Sequence, residues 1–329
     1  MRRREFISLL GGAAAALPLA ARAQQPARTR HVQVLEGYGS HDPEGQRRVA
    51  AFVGGLKALD WIDGSNLSLG VHFSASIPER LETLATDAIR SSPDVVLATT
   101  TPIAVALLRR STSIPMVFVN VSDPVGSGLV ASLSAPGGNI TGFSNFEASL
   151  VEKWVDLLKE FAPHVGTVGV ILNPQNAAST MFLRRVQAKG STLGVQVTSF
   201  EVQSALDIEH SFEAQGNEAR LGLIVLPEPV AGSNRTLIIE LAAKHKLPVI
   251  YPFDFYARDG GLLSYGVDQR NLYAKAASYV DRILKGENPG NLPVQFPTKF
   301  SLVINLKTAK ALGLEVPPML LARADEVIE

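Results

Sequence analysis

The chain has 329 residues, of which 46% are hydrophobic and 19% are charged, and its formal net charge is zero. This length and apolar content suffice for one large or two medium hydrophobic cores. The balanced charge argues against nucleic acid or an anionic membrane surface as a partner, and the absence of cysteine excludes disulfides, thiol catalysis and thiolate metal sites.

The first 23 residues have the pattern of an export signal. The chain begins Met1-Arg2-Arg3-Arg4-Glu5-Phe6-Ile7, continues through the apolar stretch 8–20 and reaches Ala21-Arg22-Ala23. A charged start, a short apolar segment and an A-x-A site predict cleavage after Ala23, and the paired arginines indicate the twin-arginine route to the periplasm. The apolar stretch is too short, and too rich in Gly and Ala, for a membrane anchor, and no Cys follows it to carry a lipid.

Residues 24–30 read as a flexible leader. Removing the signal takes away four Arg and one Glu, which leaves 27 basic against 30 acidic residues and a net charge of −3. The mature chain therefore stays close to neutral.

Beyond residue 30, short β-branched runs alternate with segments of helical periodicity, which predicts an α/β fold with doubly wound parallel sheets. The helical segments include 44–59 and 150–161, each with apolar residues on one face. The predicted strands are 31–36, 67–73, 94–99, 115–121, 139–143, 167–172, 195–202, 221–226, 248–251 and 262–265.

About ten strands are too many for one ordinary open sheet, so the sequence predicts two sheets. The two halves also resemble each other, since each contains a continuous buried-type run, at 94–98 and 221–226. The first boundary is expected near Thr141–Asn145, and a tail over 296–312 adds a further strand and helix.

Polar pairs follow three of the predicted strands: Thr101-Pro102, Asp123-Pro124 and Asn173-Pro174. Thr, Asp and Asn are helix N-cap residues, and Pro is favoured in the first helical turn. Each pair therefore predicts a helix N-terminus at the carboxyl edge of a sheet, where unpaired N–H groups can receive a carboxylate. Simple capping is the alternative reading of each pair.

Aromatic residues lie near predicted strand ends or crossings, and two acidic residues follow strand ends. The acids Glu228 and Asp254 could receive a ligand ammonium group, or could serve as helix caps or solvated charges. The aromatics could bury the solute or could form core at a domain edge; they are Tyr38, Phe143, Phe146, Phe253, Phe255 and Tyr256.

Enzyme signatures are largely missing. The chain has no G-x-G-x-x-G and no P-loop, and Gly142-Phe143-Ser144-Asn145-Phe146 lacks the second Gly of a nucleophile elbow. The six His are scattered without metal-ligand spacing. The sequence thus predicts no catalytic residue, no metal site and no cofactor.

Four blocks carry a resemblance to a known family. They are Asp94-Val-Val-Leu-Ala-Thr-Thr-Thr-Pro102, Ile114-Pro-Met-Val-Phe-Val-Asn-Val-Ser-Asp-Pro-Val-Gly-Ser-Gly-Leu-Val130, Pro136-Gly-Gly-Asn-Ile-Thr-Gly-Phe-Ser144 and Ile304-Asn-Leu-Lys-Thr-Ala-Lys-Ala-Leu-Gly313. Over nearly the whole mature chain, the sequence resembles the periplasmic substrate-binding proteins of ABC importers, and more narrowly their tryptophan/tyrosine-type branch with the type I periplasmic-binding fold.

The resemblance implies two α/β lobes joined by three crossings, near Gly142–Asn145, Tyr251–Phe253 and Asn288–Val294. Lobe 1 would comprise 31–143 plus 254–288, and lobe 2 would comprise 144–253 plus 289–329. The implied ligand contacts are Tyr38, Thr100, Thr101, Ser122, Asp123, Phe143, Ser144, Asn173, Asn176, Glu228 and Asp254.

The chain differs from the branch associated with aromatic amino acids at Leu226-Pro-Glu-Pro229 and Phe253-Asp-Phe-Tyr256. The resemblance therefore implies a small carboxylate-bearing, amino-acid-like solute without naming it, and an ABC permease in the inner membrane as partner. We expect a monomer, no nucleic-acid partner and no enzymatic activity.

Three alternatives remain at this stage. An exported enzyme on the same fold would use Asp123, Asp254 and Ser144, whose spacing matches no base–nucleophile pair. A sensory ligand-binding module cannot be separated from an importer component by sequence. A sugar-responsive transcription factor shares the fold, but the chain has an export signal and lacks a DNA-reading helix pair.

Overall fold

The computed structural model describes residues 28–145, 147, 149–215, 218 and 220–329. The predicted export signal, residues 24–27 of the leader and Phe146 lie outside this part of the chain. None of the helices in the described residues is long and apolar enough to cross a membrane.

Strands and helices alternate along the chain, as the sequence predicts. The strands are β1 (Arg30–Glu36), β2 (Leu67–Phe73), β3 (Val95–Ala98), β4 (Met116–Val121), β5 (Ile140–Ser144), β6 (Thr167–Leu172), β7 (Gln196–Glu201), β8 (Leu221–Val225), β9 (Val249–Tyr251), β10 (Leu263–Val267), β11 (Phe300–Asn305) and β12 (Glu326–Ile328). The helices are α1 (Pro43–Lys57), α2 (Pro78–Arg90), α3 (Thr101–Leu108), α4 (Ser149–Phe161), α5 (Ala177–Thr192), α6 (Ala205–Gln215), α7 (Pro229–Ser233), α8 (Arg235–Lys244), α9 (Asp254–Arg258), α10 (Gln269–Leu284), α11 (Leu306–Ala311) and α12 (Pro318–Leu321), with one 3₁₀ turn at Pro289–Asn291.

The first sheet, which defines lobe 1, has the strand order β2-β1-β3-β4-β5 and is parallel throughout. Its central strands are apolar on both faces because helices cover both. Val34 and Val117 face the side of α1 and α10, whereas Leu35 and Phe118 face α2 and α3.

The second sheet, which defines lobe 2, has the order β12-β11-β10-β9-β8-β6-β7. One face packs against α4 and α5 around Trp154 and Phe182. The other packs against α6 and α8 around Phe212 and Ile238. Two separate sheets, each covered by helices on both faces, confirm the predicted α/β architecture.

The expectation of wholly parallel sheets is wrong at one pair of strands. In lobe 2, β10 and β11 run antiparallel, with Leu263 opposite Ile304 and Val267 opposite Phe300. Parallel neighbouring strands need a crossover connection, usually a helix. The chain enters β11 from lobe 1 without such a helix in lobe 2, so β11 is free to run antiparallel to β10. The short edge strand β12, which the sequence did not indicate, pairs parallel with β11.

The predicted return to lobe 1 at residue 254 is also wrong. Helix α9 and strand β10 stay in lobe 2, where β10 pairs with β9 and β11. The chain crosses back at Asp268, and α10 joins lobe 1, where it packs beside α1.

The other two crossings lie near their predicted positions. The first follows Ser144, the last residue of β5. The third follows Gln295, which bridges to Phe143 at the edge of the first sheet before the chain enters β11. We therefore propose lobe 1 as 30–144 plus 269–295 and lobe 2 as 149–267 plus 300–328.

Candidate functional site

A cleft of about 530 Å³ lies between the two lobes at the carboxyl ends of their strands. A narrow recess of about 20 Å³ adjoins it. The two cavities share seven residues, which come from both lobes: Gly37, Thr100, Thr101, Pro102, Asn176, Glu228 and Pro229. Ligands of open parallel sheets bind at this edge, so the cleft is the candidate solute site.

Helix α3 begins in the cleft wall. Thr100 is its N-cap, and the Thr100 Oγ1 atom accepts a hydrogen bond from the backbone N–H of Ile103 at 3.5 Å. The sequence predicted Thr101 as the cap, but Thr101 is the first helical residue and Pro102 the second. Both threonines line the cleft and the recess, so the N–H groups of the first helical turn start from the cleft wall.

The two other predicted helix starts are turns. Asp123 Oδ1 accepts from the N–H of Gly126 at 2.8 Å and closes a turn with no helix after it. Asn173 Oδ1 accepts from the N–H of Gln175 at 2.9 Å, and α5 begins only after Asn176. These short-range side-chain bonds satisfy the local backbone without a helix. Asn173 and Asn176 line the cleft, whereas Asp123 only shapes the turn that presents Gly126 and Ser127 to it.

Glu228 is a buried carboxylate in the cleft wall, with 5% of its surface exposed. It accepts hydrogen bonds from Asn176 Nδ2 at 2.9 Å, from the Ser179 hydroxyl and from the backbone N–H of Asn173. Burial raises the pKa of Glu228 to about 7, although the three donors act in the opposite direction. These donors orient the carboxylate, and its remaining acceptor capacity lies at the cleft.

Tyr38 and Ser122 line the recess. The Tyr38 ring is buried beneath the guanidinium of Arg48, whose Cζ lies 4.5 Å from the ring centroid. The Ser122 hydroxyl donates to Asn145 Oδ1 at 3.0 Å, which leaves Ser122 only its lone pairs for a solute.

Besides Asp123, the structure places three more predicted contacts outside the cleft. Phe143 packs against Tyr279 in lobe 1, with ring centroids 4.8 Å apart. Ser144 is fully buried, and its backbone N–H donates to the Gln295 carbonyl at 2.8 Å. Asp254 accepts from Arg258 Nη1 at 2.6 Å as part of an ion-pair group on α9. The expected ligand roles of these residues therefore have no support in the geometry.

Arg48 is a recess residue that the sequence reasoning missed. Its side chain is fully buried and its Nε donates to Glu44 Oε1 at 3.1 Å, while Nη1 and Nη2 have no partner among the described residues. The rings of Tyr38, Phe255 and Tyr273 surround it within 4.5 to 5.8 Å of its Cζ. Its spacing in the sequence could have indicated burial, because position 48 precedes the core residue Phe52 by one helical turn and therefore lies on the same face of α1.

Asn120 is the second missed recess residue. It interrupts the apolar strand β4 with a left-handed backbone conformation, φ +63°, and the register between β4 and β5 shifts around it. Such irregularities re-aim side chains beside functional sites. A polar Asn inside an apolar run was the signal in the sequence.

Contacts on one side of the cleft join the lobes directly. Arg235 at the start of α8 donates to Asp42, the N-cap of α1, at 2.6 Å. The hydroxyls of Ser76 and Ser233 lie 3.0 Å apart. The structure is therefore a closed arrangement of the two lobes.

Metal chemistry finds no support in the described ranges, since no cluster of His, Asp and Glu there could hold an ion. The cleft instead offers hydroxyl, amide and carboxylate groups from both lobes. These groups suit a small polar solute that is held by hydrogen bonds and by burial.

Two proteins similar to this chain are described with amino-acid ligands. The chain is 24% identical over 264 residues to a tyrosine-binding protein of Clostridioides difficile, covering 80% of this chain and 76% of that protein. Its structure resembles a domain from Streptococcus pneumoniae in complex with L-Trp, with 25% identity, a TM-score of 0.85 and coverage of 91% and 100%.

A ligand-free, open substrate-binding protein of Clostridium difficile is equally similar in sequence, at 25% identity with coverage of 91% and 99%, but its TM-score is only 0.66. The lobes are thus arranged more like those of the liganded protein. A family profile described as ABC transporter substrate binding protein matches residues 40–328. This match spans nearly the whole chain, which belongs to the ABC transporter substrate-binding protein family.

Proposed function

We propose that this protein captures an amino-acid-like solute outside the cytoplasm and delivers it to an ABC permease of the inner membrane. The observation that carries the proposal is the buried carboxylate of Glu228 on one wall of the interlobe cleft, facing the start of α3 on the other. An α-amino acid carries both charges that these two features favour.

The energies require the features to act together. A helix N-terminus contributes about 0.3–1 kcal/mol to the binding of an anion, and about 2 kcal/mol when partly buried. Micromolar affinity needs about 8 kcal/mol. Hydrogen bonds to Glu228 and burial of the solute side chain must supply the remainder.

The size of the cleft supports a solute larger than the smallest amino acids. Its volume of about 530 Å³ lies in the range of small-molecule sites. Leu81, Val105 and Val230 supply apolar wall. An aromatic amino acid such as those bound by the two relatives fits this description, and we propose this class.

A solute panel tests the proposal. Isothermal titration calorimetry with the common amino acids, aromatic acids and sugars should show low-micromolar or tighter binding of at least one aromatic amino acid. Glu228→Gln should weaken this binding at least 10-fold, whereas Glu213→Gln, an exposed position on α6, should leave it unchanged. Binding of sugars alone, or of no solute, would reject the proposal.

We propose a binding protein rather than an enzyme because the groups that an enzyme would need are dispersed. Ser144 is buried and Asp254 is ion-paired, both outside the cleft, and Asp123 closes a turn. A sensory role differs from import in its partner, so co-purification with a permease of the same genome distinguishes the two.

We further propose that residues 1–23 direct export by the twin-arginine route, that cleavage follows Ala23, and that the mature protein is a monomer. Replacing Arg3 and Arg4, the pair that precedes Glu5-Phe6-Ile7, by Lys should retain the protein in the cytoplasm, with cell fractionation as the measurement. Sedimentation of the mature protein tests its oligomeric state.

A further inference from the structure

We infer that Asn120 is a solute-recognition residue whose side-chain Nδ2 group donates a hydrogen bond to the carboxylate of the solute. This inference rests on the proposed function and adds to it the group that reads the acid end of the solute. Neighbouring side chains hold the Asn120 amide in one orientation.

Two donors hold the Asn120 carbonyl. Asn145 Nδ2 donates to Asn120 Oδ1 at 2.6 Å, and Gln269 Nε2 donates to the same oxygen at 3.1 Å. Both donors belong to buried residues, with 3% and 2% of their surfaces exposed. Turning the Asn120 amide over would set its NH₂ group against two other NH₂ groups.

The rest of the chain of hydrogen bonds has the same direction. The Ser122 hydroxyl donates to Asn145 Oδ1, and Asn145 donates in turn to Asn120. Within the described part of the chain, the Asn120 Nδ2 group itself makes no hydrogen bond. Asn120 lines the recess and is only half-buried, so this donor is presented to whatever enters there.

The chemistry of the recess identifies the incoming group as an anionic acceptor. Thr100 and Thr101, at the start of α3, lie in the same wall as Asn120, and Glu228 lies in the wall of lobe 2. A volume of about 20 Å³ admits a group of carboxylate size but not a ring. A solute ammonium belongs with Glu228, which leaves the carboxylate for the Asn120 side.

The backbone conformation of Asn120 helps to place its side chain in the recess. Its left-handed conformation is one that Asn and Asp tolerate better than other non-glycine residues. The shifted register at this position aims the side chain out of the strand and toward the crossings. Asn145 follows β5 at the first crossing, and Gln269 begins α10 at the second. The donor is therefore held by the segments that connect the lobes.

Asn120→Asp tests the inference, because it keeps the size and the tolerated backbone conformation but replaces the donor by an acceptor. Calorimetry with L-tyrosine and L-tryptophan should show at least 10-fold weaker binding than in the wild type. L-tyrosinamide, whose carboxamide can donate, should lose less affinity than L-tyrosine. Asn271→Asp, an exposed position on α10, is the matched control and should bind as the wild type does.

Asn120→Gly is the second variant, since it permits the same backbone conformation but removes the amide. It should also weaken both amino acids, with a thermal unfolding midpoint of the solute-free protein within a few degrees of wild type. Wild-type affinity in Asn120→Asp would overturn the inference while leaving the proposed function intact. Failure of the wild-type protein to bind any solute of the panel would overturn both.

Discussion

At the residue scale, the least usual feature of the cleft is the carboxylate of Glu228, because burial raises its pKa into the physiological pH range. The pKa of Glu228 is raised to about 7 by desolvation, and its three hydrogen-bond donors do not reverse this. The ionised form is the one that can pair with an ammonium group. The proton and the solute therefore compete for the same site.

This competition predicts a pH-dependent affinity. Below pH 7, the solute must displace a proton from Glu228, so the affinity for an amino acid should fall with decreasing pH and approach a tenfold loss per pH unit. Above pH 7.5 the affinity should level off. Titration calorimetry at pH 5, 6, 7 and 8 measures this profile.

Glu228→Gln supplies the control for the pH profile, because its side chain does not titrate. The variant should bind weakly but with nearly the same affinity at every pH. A wild-type profile that is flat between pH 5 and pH 7 would contradict the assignment of Glu228 as the ammonium partner.

Arg48 and Asn120 show where local sequence patterns stop being informative. Both interrupt an apolar pattern, which marks them as unusual, but spacing alone cannot say what surrounds a buried polar group. Two of the aromatic rings near Arg48, those of Phe255 and Tyr273, come from α9 and α10, more than 200 residues further along the chain. Such long-range neighbours decide whether a polar residue that interrupts an apolar pattern belongs to a site.

At the element scale, helix α7 sets how closely the lobes approach. Gly232 in α7 lies against the phenol group of Tyr38 in the other lobe, and a Cβ atom at position 232 would clash with it. Tyr38 cannot yield easily, because its ring is buried under Arg48 and meets Phe255 edge to face. The closed arrangement thus requires a residue without a side chain here.

Gly232→Ala should therefore block closure without harming either lobe. We expect at least 10-fold weaker solute binding, because the walls of the cleft can no longer meet. Small-angle X-ray scattering should show a radius of gyration that stays near the solute-free value when solute is added. The wild-type protein should become more compact under the same conditions.

The matched control is Gly54→Ala in α1, where an added Cβ meets no atom within 4 Å. It should bind solute normally and should be slightly more stable, by about 0.5–1 kcal/mol, because Ala favours a helix over Gly. Solute-induced compaction that persists in Gly232→Ala would show that the contact with Tyr38 does not limit closure.

Sequence periodicity located the elements well but not their partners. The predicted strand 167–172 matches β6, and 31–36 differs from β1 by one residue, because alternation and β-branched content are local. Strand β10 was assigned to the wrong lobe because its apolar run would suit either sheet. Its partners β9 and β11 are chosen by the tertiary packing.

Local patterns in the sequence predicted only part of the candidate site. The rule that ligands bind at the carboxyl edge of a sheet selected Thr101, Asn173 and Glu228, which line the cleft, whereas Thr100 and Asn176 were implied only by the family resemblance. Asp254 also follows a strand end and Phe143 lies near the end of β5, but neither lines the cleft. Their direction depends on the crossings, which no local pattern encodes.

At the scale of the whole molecule, buried acids link stability to pH. Glu36, the last residue of β1, is completely buried in lobe 1. Desolvation raises its pKa to about 7, although the charge of Arg48 and hydrogen bonds from the Tyr38 N–H and the Tyr273 hydroxyl lower it. Unfolding returns this acid to its ordinary pKa. Between these two values the folded state binds more protons than the unfolded state, so stability falls as pH rises.

We therefore expect the free energy of unfolding to decrease from pH 5 to pH 8, by an amount of order 1–3 kcal/mol from Glu36. Urea denaturation at both values measures it. Glu36→Gln should flatten the dependence, and the part that remains should come from Glu228 and Glu44, whose pKa values burial also raises. Asp94 and Glu326, whose pKa values are lowered, titrate below this window. Rising stability over this range would contradict the assignment.

The order in which the chain visits the two sheets has a consequence for biogenesis. Lobe 1 lacks α10 until residue 284 has been made, and lobe 2 lacks β11 and β12 until the final residues. Lobe 1 therefore cannot be completed before most of lobe 2 has been synthesised, and the long-range pairings of both lobes fold slowly. A nascent chain of this design completes its long-range strand pairings only when nearly all of its residues have left the ribosome.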